Sequence, residues 1–594
     1  MTDTTRPSSS IPSSLHGPSA TNPYMGAPVA LTTLANGALT HADSQRRLAQ
    51  TMYLTPTAET VAPGVTVYGG DGFLNQSVIE GDDGLIVYDS GEVPDDGERL
   101  LRHIRERTDK PIVAIVYSHS HYVHGSRALV GDGAGVQIIG HRKLNANLSG
   151  NAAGTTYPET APIQTSRLLQ QFNHYVPDEG EDAAAGAALR FGRSGALPVN
   201  RPVDDGECLT VAGVRMQCFT AHGSDTDDCL TLYLPDHGVV LNNILWPFVP
   251  NIYTLRGAKF RDPRDWRDAL QTILDLDAEV LVNTHARAVR GRAVVREALE
   301  HVIDALDLVL DQTLRGILHG CGPDDLRSFV RLPAALAEYP NLAQIYGEIS
   351  HFGPYLYHHA LGWFDGDAAS INPLPLREQA ERLVDAMGGR DAVLAKASEA
   401  LAQRQFAWAA QLLQYLFRLD PFDPQVRASK ADALGAMGRV TPAHTVRSWY
   451  LTQARALRGE VDVPLRQFAS PRILALAAPA ESMSQFRVRI DPERAADRRD
   501  ALVIRFTDRD ARHGWRLRRG VARFVAAPAR SEPDAVEIEI DFETWLLFFS
   551  CRIGRDRFAQ AVRLVHGTGE RLLDFLSLFD ELPAGDSVLK PAPV

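Results

Sequence analysis

Between Val116 and Gly125 the chain reads Val-Tyr-Ser-His-Ser-His-Tyr-Val-His-Gly, which places His119, His121 and His124 within six residues. Neutral imidazole is the commonest protein ligand for zinc and serves iron and copper as well. A lone histidine at a turn usually caps it; three behind an apolar run point to a bound metal. Ligand-type residues stand at other strand ends too: Asp89 after Gly84-Leu-Ile-Val-Tyr, Asp225 or His222 after Val214–Thr220, and His285 after Ala278-Glu-Val-Leu-Val-Asn-Thr. A solvated turn accounts for each acid alone, including Asp89 with Glu92, Asp95 and Asp96, and none of these four is assigned to a metal. Recurrence at successive strand ends favours the metal.

Those residues need a scaffold that gathers strand ends. Pro111-Ile-Val-Ala-Ile-Val-Tyr117 reads as a buried strand, after which alternate side chains point the same way and bring His119 and His121 together. Gly64–Gly70 and Asn75–Glu80 pair around a glycine-rich turn, and Pro94–Thr108 carries Leu100, Leu101 and Ile104 at helical spacing. Further strands are read at Cys208–Val211, Val214–Thr220, Cys229–Leu234, Val239–Leu245 and Ala278–His285. This is an α/β alternation, and ligands in such sheets collect where strand ends and loops meet. Gly180–Gly195 reads as a mobile surface loop, and Thr165–Tyr175 as a surface insertion with a lid as the alternative.

With 594 residues the chain is too long for one core and predicts three or four units. Its net charge of -12, with no basic stripe, argues against nucleic acid. No segment is apolar enough to span a membrane. Five scattered cysteines form neither a disulfide framework nor a cysteine-rich zinc site, so the expected compartment is the cytoplasm. Residues 1–45, rich in Ser, Pro and Thr near their start, read as a disordered leader. From Glu378 to Arg458 the chain is helical, with tetratricopeptide-like pairs too few to cover their own faces, which a homodimer would cover. Residues 470–594 alternate strand and helix, with strands at Phe486–Ile490, Leu502–Phe506 and Val536–Asp541 and a helix from Glu543.

The order of these motifs resembles the metallo-β-lactamase fold. Asn251-Ile-Tyr-Thr-Leu-Arg256 with Gly257-Ala258 resembles, more narrowly, its alkylsulfatase branch, in which this stretch belongs to the sulfate-binding wall. The resemblance implies an αββα catalytic domain over residues 46–335, an all-α dimerisation domain over 336–465 and an α+β sterol-carrier-like domain over 466–594. His119 and His121 match first-site histidines and Asp225 lies where the family has a glutamate; His124 and His285 match second-site ligands. Arg256 would grip an oxyanion with its planar fork, aided by Asn251 and Tyr253.

Two departures matter. Val123 stands where the family pattern has aspartate, and Asn243 (or Asn242) where it has a second glutamate. Two dications about 3.5–4 Å apart need anionic ligands to offset their repulsion. One zinc ion is therefore expected rather than two, with iron as the alternative; Asp227 and Asp228 offer partial replacement of the lost charge. The expectation is a metal-dependent hydrolase of a sulfate or related anionic ester with an apolar tail, acting through a metal-activated water. Two alternatives stand beside it: a single-metal enzyme of oxidative or lyase chemistry, and a non-catalytic dimeric binding protein.

Overall fold

The computed structural model describes residues 22–589 apart from 151–154, 187, 188, 191, 193, 476, 529–534, 583 and 584. The chain enters through a small antiparallel pair, β1 (Leu31–Thr33) and β2 (Leu39–His41), followed by a helix over Ala42–Thr51. This corrects the expected leader from residue 22 onward; residues 1–21 lie outside the described residues. Polar composition hid a few anchoring side chains: Ala38, Leu48 and Met52 are buried, and Leu39 N donates to the Glu181 carbonyl at 3.0 Å.

Two sheets form the core of the first half. One has the spatial order β3 (Thr57–Ala62), β4 (Val65–Gly69), β5 (Gln76–Glu80), β6 (Leu85–Tyr88), β7 (Ile112–Val116), β8 (Gln137–His141) and β9 (Arg201–Val203). Pairing is antiparallel from β3 to β6 and parallel from β6 to β9. A tight turn joins β5 to β6, whereas β6 reaches β7 through the helix Pro94–Arg105, as a parallel crossover requires. The second sheet runs β10 (Cys208–Val211), β11 (Val214–Phe219), β12 (Thr231–Leu234), β13 (Val239–Asn242), β14 (Val280–Asn283) and β15 (Val289–Arg290).

Val65, Val67, Ile79, Ile86 and Val116 of the first sheet share one core with Met216, Leu232, Leu241 and Val282 of the second. All four residues of β6, β13 and β14 are buried, so both faces of these strands are covered. Helices supply that cover: Pro94–Arg105 buries Leu100 and Ile104, and Pro263–Asp275 buries Trp266, Leu270 and Ile273.

Helices at Leu376–Ala386, Arg390–Ala402, Phe406–Leu419, Pro424–Val440 and His444–Arg458 follow, sharing a core that includes Val393, Leu412, Leu413 and Val426. They are not a separate body. The chain divides into two compact units, Met1–Asn145 with Leu169–Asp462, and Ala146–Leu168 with Val463–Val594. Backbone capture joins the helices to the sandwich: Arg447 Nη1 donates to the Ala183 carbonyl at 2.6 Å and Nη2 to the Glu181 carbonyl at 2.9 Å. Thus part of the glycine/alanine-rich stretch read as a mobile loop is anchored, with Ala183 and Ala185 buried.

The second unit is α+β. Its sheet has the order β18 (Val521–Val525), β17 (Ala511–Arg518), β16 (Arg499–Phe506), β19 (Val536–Ile540), β20 (Arg563–His566). Phe486–Ile490, expected as a strand, instead closes the helix Pro479–Phe486 and continues as a 3-10 turn over Arg487–Arg489. Five residues satisfy both periods: Phe486 and Ile490 are four apart, and Pro479 favours a helix start. Among the described residues, no helix is long and apolar enough to cross a membrane.

Candidate metal centre and anion wall

Three strand ends are tied together before any ligand is considered. Asp89, just beyond β6, is fully buried and holds φ at 63°, a left-handed conformation uncommon outside glycine. Its Oδ1 accepts from the Ser118 amide at 2.8 Å, beyond β7, and its Oδ2 from Thr284 Oγ1 at 3.0 Å, beyond β14. Burial pushes this carboxyl up to about 7 although both donors pull it down. Asp89 is therefore a clamp between the histidine turn and the strand that delivers His285.

The histidine turn does not continue the strand. β7 ends at Val116 and residues Ser120–Tyr122 form a 3-10 turn, so His119 and His121 meet because the backbone bends, not through strand alternation. The Ser90 and Gly91 amides donate to the Tyr122 carbonyl at 2.9 and 3.1 Å, and His124 N returns to the Gly91 carbonyl at 2.9 Å. Gly125 permits this docking: a Cβ there would lie 2.0 Å from the Ser90 carbonyl oxygen.

Ligand atoms of His119, His121 and Asp225 all lie within 4.8 Å of one another. His119 is fully buried; its Nδ1 sits 2.8 Å from Ser118 Oγ, while Nε2 is buried without a partner. Burial, only partly opposed by Asp225, holds His119 well below the usual imidazole range, so it stays neutral. Asp225 Oδ2 lies 3.4 Å from His121 Nδ1. Burial opposes its ionisation, but the contact with His121 and the nearby Arg261 guanidinium keep its carboxyl well below the usual range. An orphaned imidazole nitrogen, a second imidazole and an ionised carboxylate at one point are the donor set a divalent cation uses.

The other expected ligands are placed differently. His285 is buried, and its Nδ1 lies 2.9 Å from the Phe73 carbonyl oxygen. A carbonyl only accepts, so Nδ1 carries the proton and the Nε2 lone pair faces inward, 3.4 Å from Tyr122 Oη. The tyrosine ring stands edge-on to both His119 and His285. His124 turns to Ser194, with Nδ1 2.8 Å from Oγ, and His222 turns to Asp265 at 2.8 Å.

The two departures now have surroundings. Val123 is fully buried and forms a bridge to Gly91. Asn243 Nδ2 donates to Asp225 Oδ1 at 3.1 Å and to Ser224 Oγ at 3.2 Å, while Asn242 turns to the Val282 carbonyl and Asn283. Asn243 thus steadies the outer oxygen of Asp225. Asp228 is fully buried, with Oδ2 unpartnered, and Asp227 faces Lys143 at 3.5 Å.

Beyond the donors lies the stretch around Arg256. Gln171 organises it: its Oε1 accepts from Thr254 Oγ1 at 2.8 Å and from Arg256 N at 3.2 Å. Gln171 ends the helix Ala161–Gln171, so part of the expected surface insertion Thr165–Tyr175 packs against this stretch. Arg256 Nη1 is buried without a partner. Tyr253 stacks on Tyr355 with ring centroids 4.7 Å apart. Asn251 is buried; with its amide oriented to satisfy both ends, it donates to the Tyr253 carbonyl at 3.0 Å and accepts from Arg261 Nη1 at 2.6 Å. Phe73, Trp246, Phe248 and Tyr346 form an aromatic wall beside His285, with centroids of Phe73 and Trp246 4.6 and 4.8 Å from the imidazole. Sequence reasoning missed Tyr122, Gln171, Tyr346 and Arg261. Tyr122 lay inside the histidine motif and Arg261 five residues beyond Arg256; the other two carry no local signal.

Two face-to-face sheets with metal-type donors at their strand ends are the architecture of the metallo-β-lactamase superfamily, whose sequence model matches residues 69–285. A second model, alkyl sulfatase dimerisation, matches residues 322–460. A linear primary-alkylsulfatase of a Pseudomonas species (strain ATCC 19151) is 35% identical over 469 residues, 75% of this chain and 87% of that protein. An (R)-specific secondary-alkylsulfatase of Pseudomonas is 28% identical, covering 87% of this chain and 80% of that protein. The fold also matches the solved sec-alkylsulfatase Pisa1 of Pseudomonas, with a TM-score of 0.76 at 23% identity over 96% of this chain and 95% of that one. The chain belongs to the alkylsulfatase branch of the metallo-β-lactamase superfamily.

Proposed function

We propose that this chain hydrolyses sulfate esters of apolar alcohols with one bound cation, held by His119, His121 and Asp225 with His285 at the edge of the set. The observation that carries this reading is the convergence of the unpartnered His119 Nε2 with His121 and the Asp225 carboxylate. Such a cation, zinc in the first instance, supplies Lewis acidity and brings a water's pKa down to about 7. The chain's own residues do the rest. Arg256 binds the anionic head, Asn251 holds the loop that carries it, and Asn243 fixes Asp225 through its outer oxygen. Buried aromatic rings keep water from the side on which His285 stands.

One ion rather than two follows from charge. Val123 carries none, Asn243 donates to Asp225 instead of offering a carboxylate, and the convergent donors are His119, His121 and Asp225, without His124. Two histidines and one carboxylate also suit non-heme iron, the donor set behind a second reading, oxidative chemistry at a single iron. Metal analysis of the purified protein beside turnover of a linear alkyl sulfate separates the readings. Zinc-dependent release of sulfate supports hydrolysis; tightly bound iron with oxygen consumption and no sulfate release overturns it.

We further read the region of residues 322–460 as a homodimer contact. Leu361, Trp363, Ile371, Leu374 and Leu376 are exposed along one stretch of it, with Trp363 at 64%. The second unit reads as a sterol-carrier-like module, supported by a cavity of about 170 Å³ in it lined in part by Phe468, Val488 and Phe549. Light scattering in solution tests the first assignment and displacement of a fluorescent fatty acyl probe the second.

A further inference from the structure

The second unit holds a buried cation that no acid answers. The helix Pro479–Phe486 runs into the 3-10 turn Arg487–Arg489, whose three-residue repeat sets Phe486 and Arg489 on one side. Arg489 is only 7% exposed. Its guanidinium carbon lies 5.2, 4.9 and 5.1 Å from the ring centroids of Phe468, Phe486 and Phe549. Nη2 donates to the Phe549 carbonyl at 2.6 Å and Nη1 to Cys551 Sγ at 3.4 Å. Among the described residues, no carboxylate stands within ion-pair distance of it. Glu159 is paired with Arg487, and Asp586 with Arg466. Burial lowers the pKa of Arg489 and so does the Arg466 guanidinium, while the Cys551 thiol acts the other way.

The same side chain lines the cavity of about 170 Å³. Arg466 and Glu159 line it too, and most of the remaining wall is apolar, with Ile163, Phe468, Phe549 and Leu582. An apolar cavity of about 150 Å³ takes up benzene, so there is room here for a hydrocarbon segment of roughly six carbons. A cation buried without an anion is a costly arrangement. Aromatic faces attract it but bring no net charge, and the two neutral acceptors use two of the five N–H donors that a guanidinium carries. A ligand with an oxyanion head and an apolar chain answers both halves of this cavity, the head by accepting paired N–H bonds and the chain by covering the rings.

We propose that the cavity of the second unit binds a single-chain anionic amphiphile, with its carboxylate or sulfate-type head on Arg489 and its chain against Ile163, Phe468, Phe549 and Leu582. The inference rests on the sterol-carrier-like reading of this unit and deepens it by assigning the charge of the ligand. A neutral sterol would leave Arg489 without a counter-charge.

The test measures binding of octanoate, octanesulfonate and octanol to the full-length chain by calorimetry. Arg256→Gln is present throughout, so that the anion wall of the first unit takes no part. Adding Arg489→Gln is expected to weaken both anions at least about tenfold and to leave octanol within about twofold; Arg489→Lys, which keeps the charge but not the fork, costs the anions roughly threefold. A merely structural arginine would lower anion and alcohol binding alike or leave both unchanged, and either result overturns the proposal. If the glutamine variant does not fold, Ile163→Trp decides, because it fills the cavity and keeps Arg489; retained octanoate binding there is equally fatal. Tighter octanesulfonate names a sulfate-type head and tighter octanoate a carboxylate, and either supports the proposal. Octanol bound as tightly as the anions would retire the charged head alone, whereas binding of none of the three would retire the sterol-carrier-like reading as well.

Discussion

The two sides of this site are built on opposite principles. On the metal side, donors come from three strand ends, two of them locked together through Asp89, and the negative charge there is reduced to Asp225 with Asp228 nearby. On the anion side, donors come from one loop held by Gln171 and Asn251, in which Arg256 and Arg261 each keep one buried guanidinium nitrogen without a partner. The contrast teaches that convergence of distant strand ends places the metal-type donors, whereas a single loop places the guanidiniums.

Breaking the metal side has the largest expected effect. His119→Ala removes an imidazole with an orphaned buried nitrogen and is expected to abolish stoichiometric metal binding, lowering sulfate-ester turnover by more than about a hundredfold. Metal content measured beside kcat checks this; full metal occupancy in the variant would refute the donor assignment. On the anion side, Arg256→Ala is expected to raise KM roughly ten- to a hundredfold, the worth of a charge-assisted hydrogen bond of about 1.5–3 kcal/mol, while metal content stays at the wild-type level. Co-loss of metal would show that the two sides are not separable.

Acid sharpens the comparison in the metal-free protein. Burial holds His285 and His124 down to about 4 and His444 to about 3, with His119 lowered as well. Below about pH 6.5 the unfolded chain takes up these protons and the folded chain does not, so stability is lost as pH falls. Asp89 and Glu92, both raised to about 7 by burial, act in the other direction, because the folded chain keeps their protons. The histidines outnumber them, and stability is expected to fall by roughly 1–3 kcal/mol per pH unit between pH 6.5 and 4.5. Denaturant titrations across that range read the slope, and a rise toward acid would mean that the buried imidazoles are charged.

Restoring carboxylates asks whether charge alone set the ion count. Val123→Asp with Asn243→Glu is expected to add a second, weaker metal equivalent, whereas Val123→Asp alone adds little, since Asn243 still engages Asp225. Titration with cobalt and its visible spectrum distinguish one site from two. The smallest effect belongs to His124→Ala, expected to change turnover less than about threefold because that imidazole stands outside the donor cluster of His119, His121 and Asp225. A loss as large as that for His119 would return His124 to the ligand set.

Much of this molecule was legible in its sequence. Apolar runs of strand length, each followed by a ligand-type residue, were enough for the α/β sandwich and for marking His119, His121, Asp225 and His285 as candidates, because burial and strand termination are local properties of composition. Helical periodicity likewise located the bundle after residue 376. Only the tertiary structure decided which donors meet. The bend at Ser120–Tyr122 turned His121 toward Asp225 and His124 toward Ser194, and residues 29 and 195 positions from their Asp89 partners fixed the strand ends. Gln171 came to lie against Thr254 and Arg256 for the same reason: hydrogen bonds act through space, and neither spacing nor periodicity encodes which loop will close over which strand end.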